Sequence, residues 1–428
     1  MLLKFIVPLS LVCLVPPWSF LSAADSTATQ HVATVVEVPG CVAFWDFVKR
    51  EPSGSNRFVA HVPAGATNEY ALDAGNYVRD YWDQGRDATY DDFPLLGSGP
   101  FGQAIRLCKE SDSTFRPFLF VPRSRLHDSP LDIKGPGKSV TVVVWAIRES
   151  GNHALAGIWH EGTDLKQEST TGIKRVERGQ RQYALFAGLN TPGAACGHVS
   201  ENGASSFNYR YAMHKSNSGD LSPEISADSP ADILADSWQC FAMTFDNQQD
   251  RLTSWLNGKA TERWRENPKK TLAPVYNAWR QGELHRQPGL QVGEDTSFPI
   301  DQFYNPPEVE PVSVETVSQS EDQRVEVREY GYTRVKTTLA KDASGTFVTT
   351  DRDLVAIKLN PWWFEHDLYS PADKTGGGPF TIGRVIHSSR SVGFTGWIGG
   401  VAVFDRALSP QELARLAAIS TDPVNTTR

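Results

Sequence analysis

From Cys41 to Asp405 the apolar positions fall in short runs broken by turn residues. "CVAFWDF" (Cys41–Phe47), "FGQAIRLC" (Phe101–Cys108), "FRPFLFVP" (Phe115–Pro122), "SVTVVVWAI" (Ser139–Ile147), "ALAGIWH" (Ala154–His160) and "RQYALFAGL" (Arg181–Leu189) each read as a strand. "WQCFAMTFD" (Trp238–Asp246) and "RLTSWLNGKATERW" (Arg251–Trp264) form a pair across a polar break. Inside the second, Asn257–Gly258 marks a hairpin turn, because both residues tolerate positive φ. "GPFTIGRVI" (Gly378–Ile386) and "GWIGGVAVFD" (Gly396–Asp405) close the series. Helical spacing is confined to "SPADILADS" (Ser229–Ser237) and to "SPQELARLAAI" near the end. In the latter, Ser409 caps the helix, Pro410 suits its first turn and Glu412 completes a capping box. Leu413, Leu416 and Ala417 then share one face. Many short strands without intervening helices predict an all-β jelly-roll sandwich. Its last strand returns beside the first, and a short C-terminal helix seals an open edge.

Two stretches interrupt the pattern. Residues 48–100 are rich in Gly, Asp and Tyr. Residues 283–377 carry an acidic, Pro-bearing run, followed by two strand-like segments that predict an inserted hairpin or small sheet. Loops of this length without structure are uncommon, so both read as insertions decorating one domain, 39–420, with a tail at 421–428. At the other end, Lys4, an apolar stretch, and Ser22 and Ala24 before Asp25 match a cleaved signal peptide at 1–24, followed by a linker at 25–38. The chain is therefore expected to be secreted or periplasmic, with no transmembrane segment.

Composition narrows the partners. A net charge of −8 argues against nucleic acid. The 12 Trp, 12 Tyr and 21 Phe suit a thick β core and also suit a sugar platform. Past the signal four cysteines remain, Cys41, Cys108, Cys196 and Cys240. They permit two disulfides in any of three pairings, or four buried thiols. The richest aromatic cluster outside the strands is "NPWWFEHDLY". Trp362, Trp363 and Tyr369 offer flat faces, while His366 and Asp367 offer hydrogen bonds, which makes this stretch the candidate ligand-binding loop.

The order of these strands resembles a known family. "AFWDF", "GPFGQAIRL", "SVTVVVW", "WQCFAMTFD" with "SWLNGK", and "GWIGGVAVFDRALSPQEL" follow one another as in the laminin G-like, concanavalin A-like lectin/glucanase jelly rolls of secreted bacterial proteins. The resemblance spans most of 40–420 apart from the insertions. It implies a jelly roll that binds carbohydrate or a surface protein outside the cell. It also implies a structural calcium, with Asp46 and Asp405 as candidate ligands, although Gly399 stands where the family often has Asp and Asp405 ahead of Arg406 also suits a turn. By the same comparison Cys196 would pair with Cys240, leaving Cys41 with Cys108.

Glucanases of this fold place two carboxylates about 5.5 Å apart on one strand through Glu-x-Asp-x-x-Glu, and no such motif occurs here. A polysaccharide lyase would need a Tyr or His base and an Arg beside a uronate. "NYRYAMH" supplies the residue types in Tyr209, Arg210, Tyr211 and His214. The expected function is non-catalytic binding, with a lyase or an envelope adhesion module as the alternatives.

Overall fold

The computed structural model describes residues 23–421 except 53, 150–152, 161–179, 190, 202, 204–212, 227–232, 234, 250, 262–263, 267–309, 331–332, 359–366, 372–375 and 387–392. Three antiparallel sheets hold its strands. The first runs β12 (Arg251–Leu256), β11 (Gln239–Asp246), β6 (Val140–Arg148), β19 (Gly396–Phe404), β4 (Gly102–Leu107), β3 (Leu95–Gly99), with β1 (Cys41–Trp45) also on β19. The second runs β10 (Met213–Asn217), β9 (Ala195–Ser200), β8 (Gln180–Ala187), β7 (His153–His160), β18 (Phe380–Ile382), β5 (Pro117–Val121), β2 (Asp73–Asn76). These two face each other across one core, where Val140, Val142 and Val144 of β6 pack with Leu155, Ile158, Tyr183 and Leu185 of β7 and β8. The chain is thus an all-β sandwich, and its last strand does return to its first: Cys41 lies in register with Phe404.

All nine residues of β6 are buried, because both its faces are covered. Val143 and Trp145 point away from the main core into a second cluster under two helices, α1 (Ala23–Val36) and the C-terminal helix (Pro410–Ala418). That C-terminal helix has the expected capping box, with Ser409 and Glu412 each satisfying the other's backbone N–H. It lies on the outer face of the first sheet rather than on an open edge, burying Leu413 and Leu416 and accepting the Trp145 Nε1 hydrogen bond on the Leu416 carbonyl at 3.1 Å. The Asn257–Gly258 turn seats it. Both residues have positive φ, 51° and 74°, and a Cβ on Gly258 would stand 2.8 Å from the Ala414 Cα. Residues 25–36 are likewise not linker. They are helical, with Val32, Val35 and Val36 in the same cluster and His31 bonded to the Pro100 carbonyl at 2.7 Å.

The insertions also differ from expectation. The first is part of the sandwich, since its β2 extends the second sheet and its β3 the first. The second contains a meander of β14 (Ser313–Gln319), β15 (Gln323–Glu329), β16 (Thr333–Lys341) and β17 (Phe347–Lys358). It is joined by β13 (Trp264–Glu266), so Trp264 belongs to this third sheet and not to the sandwich hairpin.

Neither expected disulfide forms: none of Cys41, Cys108, Cys196 and Cys240 is bridged to another. Cys196 sits with Trp159 and Phe186 on the outer face of the second sheet, whereas Cys240 lies on the outer face of the first, under the C-terminal helix. The sandwich stands between them. Cys41 pairs with Phe404 at one end of β19, while Cys108 follows Leu107, which pairs with Gly396 at the other. Eight residues of strand separate those points by about 26 Å, far beyond disulfide reach. No helix among the described residues is long and apolar enough to cross a membrane.

Candidate functional site

Antiparallel pairing of β1 with β19 brings Gly40 and Asp405 side by side at one end of the sandwich. The Asp405 N–H donates to the Gly40 carbonyl at 3.0 Å. Gly40 has φ 83°, and a Cβ there would lie 2.7 Å from Asp405 Oδ1. Only glycine leaves the carboxylate its place. Around this pair opens a pocket of about 480 Å³, lined by Gly40, Cys41 and Val42, the loop from Pro63 to Asn68, Tyr70, Pro130 and Asp405. That volume falls within the range usual for small-ligand sites, 300–1,000 Å³.

The loop is held from behind. Asn68 donates from Nδ2 to the Arg125 carbonyl at 3.1 Å and accepts the Tyr70 N–H on Oδ1 at 2.9 Å. Tyr70 is buried; its carbonyl accepts Trp45 Nε1 at 2.9 Å and its hydroxyl accepts the Leu131 N–H at 3.2 Å. The tip, Pro63 to Thr67, is exposed and small.

The charge in the pocket is one-sided. Among the described residues Asp405 is its one carboxylate, and no Lys or Arg lines it. The neighbouring Arg406 is committed elsewhere: its Nε donates to the Pro39 carbonyl at 2.7 Å and its two terminal nitrogens to Glu412 at 3.0 and 2.5 Å. Burial, with the Asp405 charge adding to it, pushes the Cys41 thiol up to about 12. The thiol is therefore a neutral wall at physiological pH and not a nucleophile.

The residues singled out in the sequence are distributed as follows. Trp362, Trp363 and His366 lie outside the described residues, as do Tyr209, Arg210 and Tyr211. His214 falls on β10, the edge strand of the second sheet, in register with Val199. Asp367 accepts hydrogen bonds from Asn247 Nδ2 at 2.9 Å and from the Gly137 N–H at 3.3 Å, and the Tyr369 N–H donates to the Ser200 carbonyl at 2.8 Å. This stretch thus spans from the β11–β12 turn of the first sheet to the end of β9 in the second. It meets the same end of the sandwich as the pocket, since Phe404 is in register with Thr141 and Val140 with Phe245.

Asp46 and Asp405 do not meet as metal ligands. They flank β1 at opposite ends, about 17 Å apart by strand length. Asp46 is spent on its turn and on His61: Oδ1 accepts the N–H groups of Val48 and Lys49, both at 2.9 Å, and Oδ2 meets His61 Nε2 at 2.8 Å. Burial alone would raise this carboxyl, but His61 and the two N–H groups hold it below the ordinary value. Among the described residues no three His, Cys, Asp or Glu side chains gather as a metal site.

A second constellation lies away from the pocket and includes His160, the last residue of its strand. On the outer face of the second sheet, helix α2 (Tyr77–Trp82) brings Tyr77 and Tyr81 over the strands. Tyr81 meets His160 edge-on at 5.9 Å between centroids, and the Arg384 guanidinium lies 4.9 Å over the Tyr77 ring and pairs with Glu110. Tyr, His and Arg are the residue types of a lyase, yet His160, Tyr77 and Arg384 are all at least 98% buried, so here they fasten α2 to the sheet. The i, i+1, i+4, i+5 spacing of Tyr77, Val78, Tyr81 and Trp82 was the available signal for that helix.

The fold and the pocket define a β-sandwich with a rim site of single negative charge. No protein-family model matches the chain, and no curated protein does. Solved structures that align with the chain include botulinum neurotoxin type C, whose cell entry is dependent upon interaction with two ganglioside molecules, at 9% identity and TM-score 0.32, covering 89% of this chain and 51% of that one. Domain 4 of AbnA, a GH43 extracellular arabinanase from Geobacillus stearothermophilus in complex with arabinotriose, aligns at 10% identity and TM-score 0.37, over 88% of this chain and 98% of that one. The CBM40 of a Ruminococcus gnavus sialidase bound to α2,6 sialyllactose aligns at 10% identity and TM-score 0.31, over 73% and 96%. The chain spans about half the length of the neurotoxin chain it matches.

Proposed function

We propose that this chain is an exported, non-catalytic binding module that holds a neutral or amine-bearing carbohydrate in the Gly40–Asp405 pocket. The observation that carries this reading is the one carboxylate among the described lining residues, set against a glycine, with the neighbouring Arg406 turned to Glu412 and the Pro39 carbonyl. A carboxylate accepts hydrogen bonds from two neighbouring hydroxyls at once, and such charge-assisted bonds are the stronger kind. Val42, Pro63 and Pro130 supply the apolar wall against which a sugar face rests, and Thr67 and Asn68 add polar groups. A uronate or other acidic sugar meets Asp405 as a like charge, at about 1 kcal/mol in water and about 4 near a protein surface for a 4 Å separation. Asp367, the described residue of the predicted aromatic loop, holds to the same end of the sandwich.

A glycan array spanning neutral, amino and acidic sugars tests the proposal, with the parent and a pocket-filling Thr67→Trp variant side by side. Neutral or amino glycans should bind the parent and lose binding in the variant. Retention of acidic glycans alone, or release of an unsaturated product from a uronate polymer in an absorbance assay, would favour the lyase reading instead.

A further inference from the structure

The third sheet ends on one side at β14, whose inner edge pairs with β15. Among the described residues no strand pairs with its other edge. All seven residues of β14 are exposed. Val312, Val314 and Val317 show 73%, 50% and 58% of their surface, so three of the most exposed large apolar residues among the described residues sit on one strand and its lead-in. Natural edge strands are usually guarded by Lys, by Pro, by shortness or by a bulge. The opposite edge, β13, is three residues long. β14 has seven, with no Lys and no Pro, and one bulge at Val317.

Charge selects the occupant. From Glu310 to Asp322 the chain carries Glu310, Glu315, Glu321 and Asp322 and no Lys, Arg or His. A second copy pairing antiparallel would set Glu310 against Glu321 and Asp322 at both ends, and a parallel copy would set Glu315 beside itself. Like charges facing across strands destabilise a ladder. We propose that β14 is a docking edge for a basic, extended segment of a partner protein, which adds as a sixth strand with β-branched residues against Val314 and Val317 and Lys or Arg against the four carboxylates. Main-chain hydrogen bonds would supply most of the affinity, and the acidic rim the choice of partner.

The probe is a fluorescein-labelled peptide of alternating Val and Thr with two Lys at each end, and its counterpart with Glu in place of Lys. Fluorescence anisotropy on the full chain at low salt reads binding. The basic peptide should bind the parent, weaken about tenfold in a Glu315→Lys, Glu321→Lys, Asp322→Lys variant, and weaken further in Thr316→Pro, which removes a ladder donor. The charge-reversed variant should gain the acidic peptide. Equal binding of both peptides to the parent, binding untouched by Thr316→Pro, or no binding of the basic peptide to folded parent would overturn the proposal. So would concentration-dependent self-association lost in Thr316→Pro, which would assign the edge to a second copy. The charge-reversed variant alters only exposed side chains, so it decides the matter even if Thr316→Pro disturbs the sheet.

Discussion

At Gly40 one missing Cβ meets two demands: a backbone φ of 83°, and room for the Asp405 carboxylate. Gly40→Val should therefore cost about 1–3 kcal/mol of stability and abolish binding in the pocket; thermal melting and a glycan titration read the two effects separately. Glu412 makes a pH prediction. Hydrogen bonds from Arg406, then from the Ser409 N–H and hydroxyl, bring its carboxyl down to about 2 against partial burial. A depressed carboxyl stabilises the fold above its unfolded value near 4.5 and loses that contribution as pH falls through the folded value. The stability curve should fall between about pH 4.5 and 2, and Glu412→Gln should flatten that limb while lowering stability at neutral pH by about 1 kcal/mol. A parallel acid limb in the variant would contradict this. The capping box was legible, since Ser409, Pro410 and Glu412 are neighbours in sequence. The pocket was not. Its walls come from 40–42, 63–70, 130 and 405, which meet only because β1 pairs with β19.

Among the elements, strands were legible where alternation is strong and helices where caps are local. Helix α1 is not legible in the sequence because its Val-rich, Thr-rich stretch reads poorly as helix by propensity, and it is its docking on Phe44, Phe101 and Trp145 that gives Val35 a place. The disulfides failed for a related reason. Spacing says which cysteines are near in sequence, while the outward or inward face of each strand decides which can touch. In the native protein a thiol reagent should modify Cys108, which is exposed, and spare Cys41, Cys196 and Cys240 until denaturant is added; mass mapping of the labelled peptides checks this. The C-terminal helix is more than an appendage. Leu413→Ala removes a buried side chain between that helix and the sheet and should cost about 2–4 kcal/mol by denaturant titration.

At the scale of the molecule, the two ends of the sandwich sequence meet in one sheet, so neither half completes the core alone. The third sheet is built from strands that pair with one another, which leaves the sandwich free to carry the pocket at its rim. That division places a small, singly charged concave site on a rigid frame and an open acidic edge on an inserted one. The proposed function stands or falls with Asp405. Isothermal titration of the parent and of Asp405→Asn with the best neutral glycan from the array is the direct measurement. Because Asp405 is exposed and only its backbone N–H holds Gly40, the variant should melt like the parent and bind at least about tenfold more weakly. Undiminished binding in a folded Asp405→Asn protein would place the ligand elsewhere and contradict the reading.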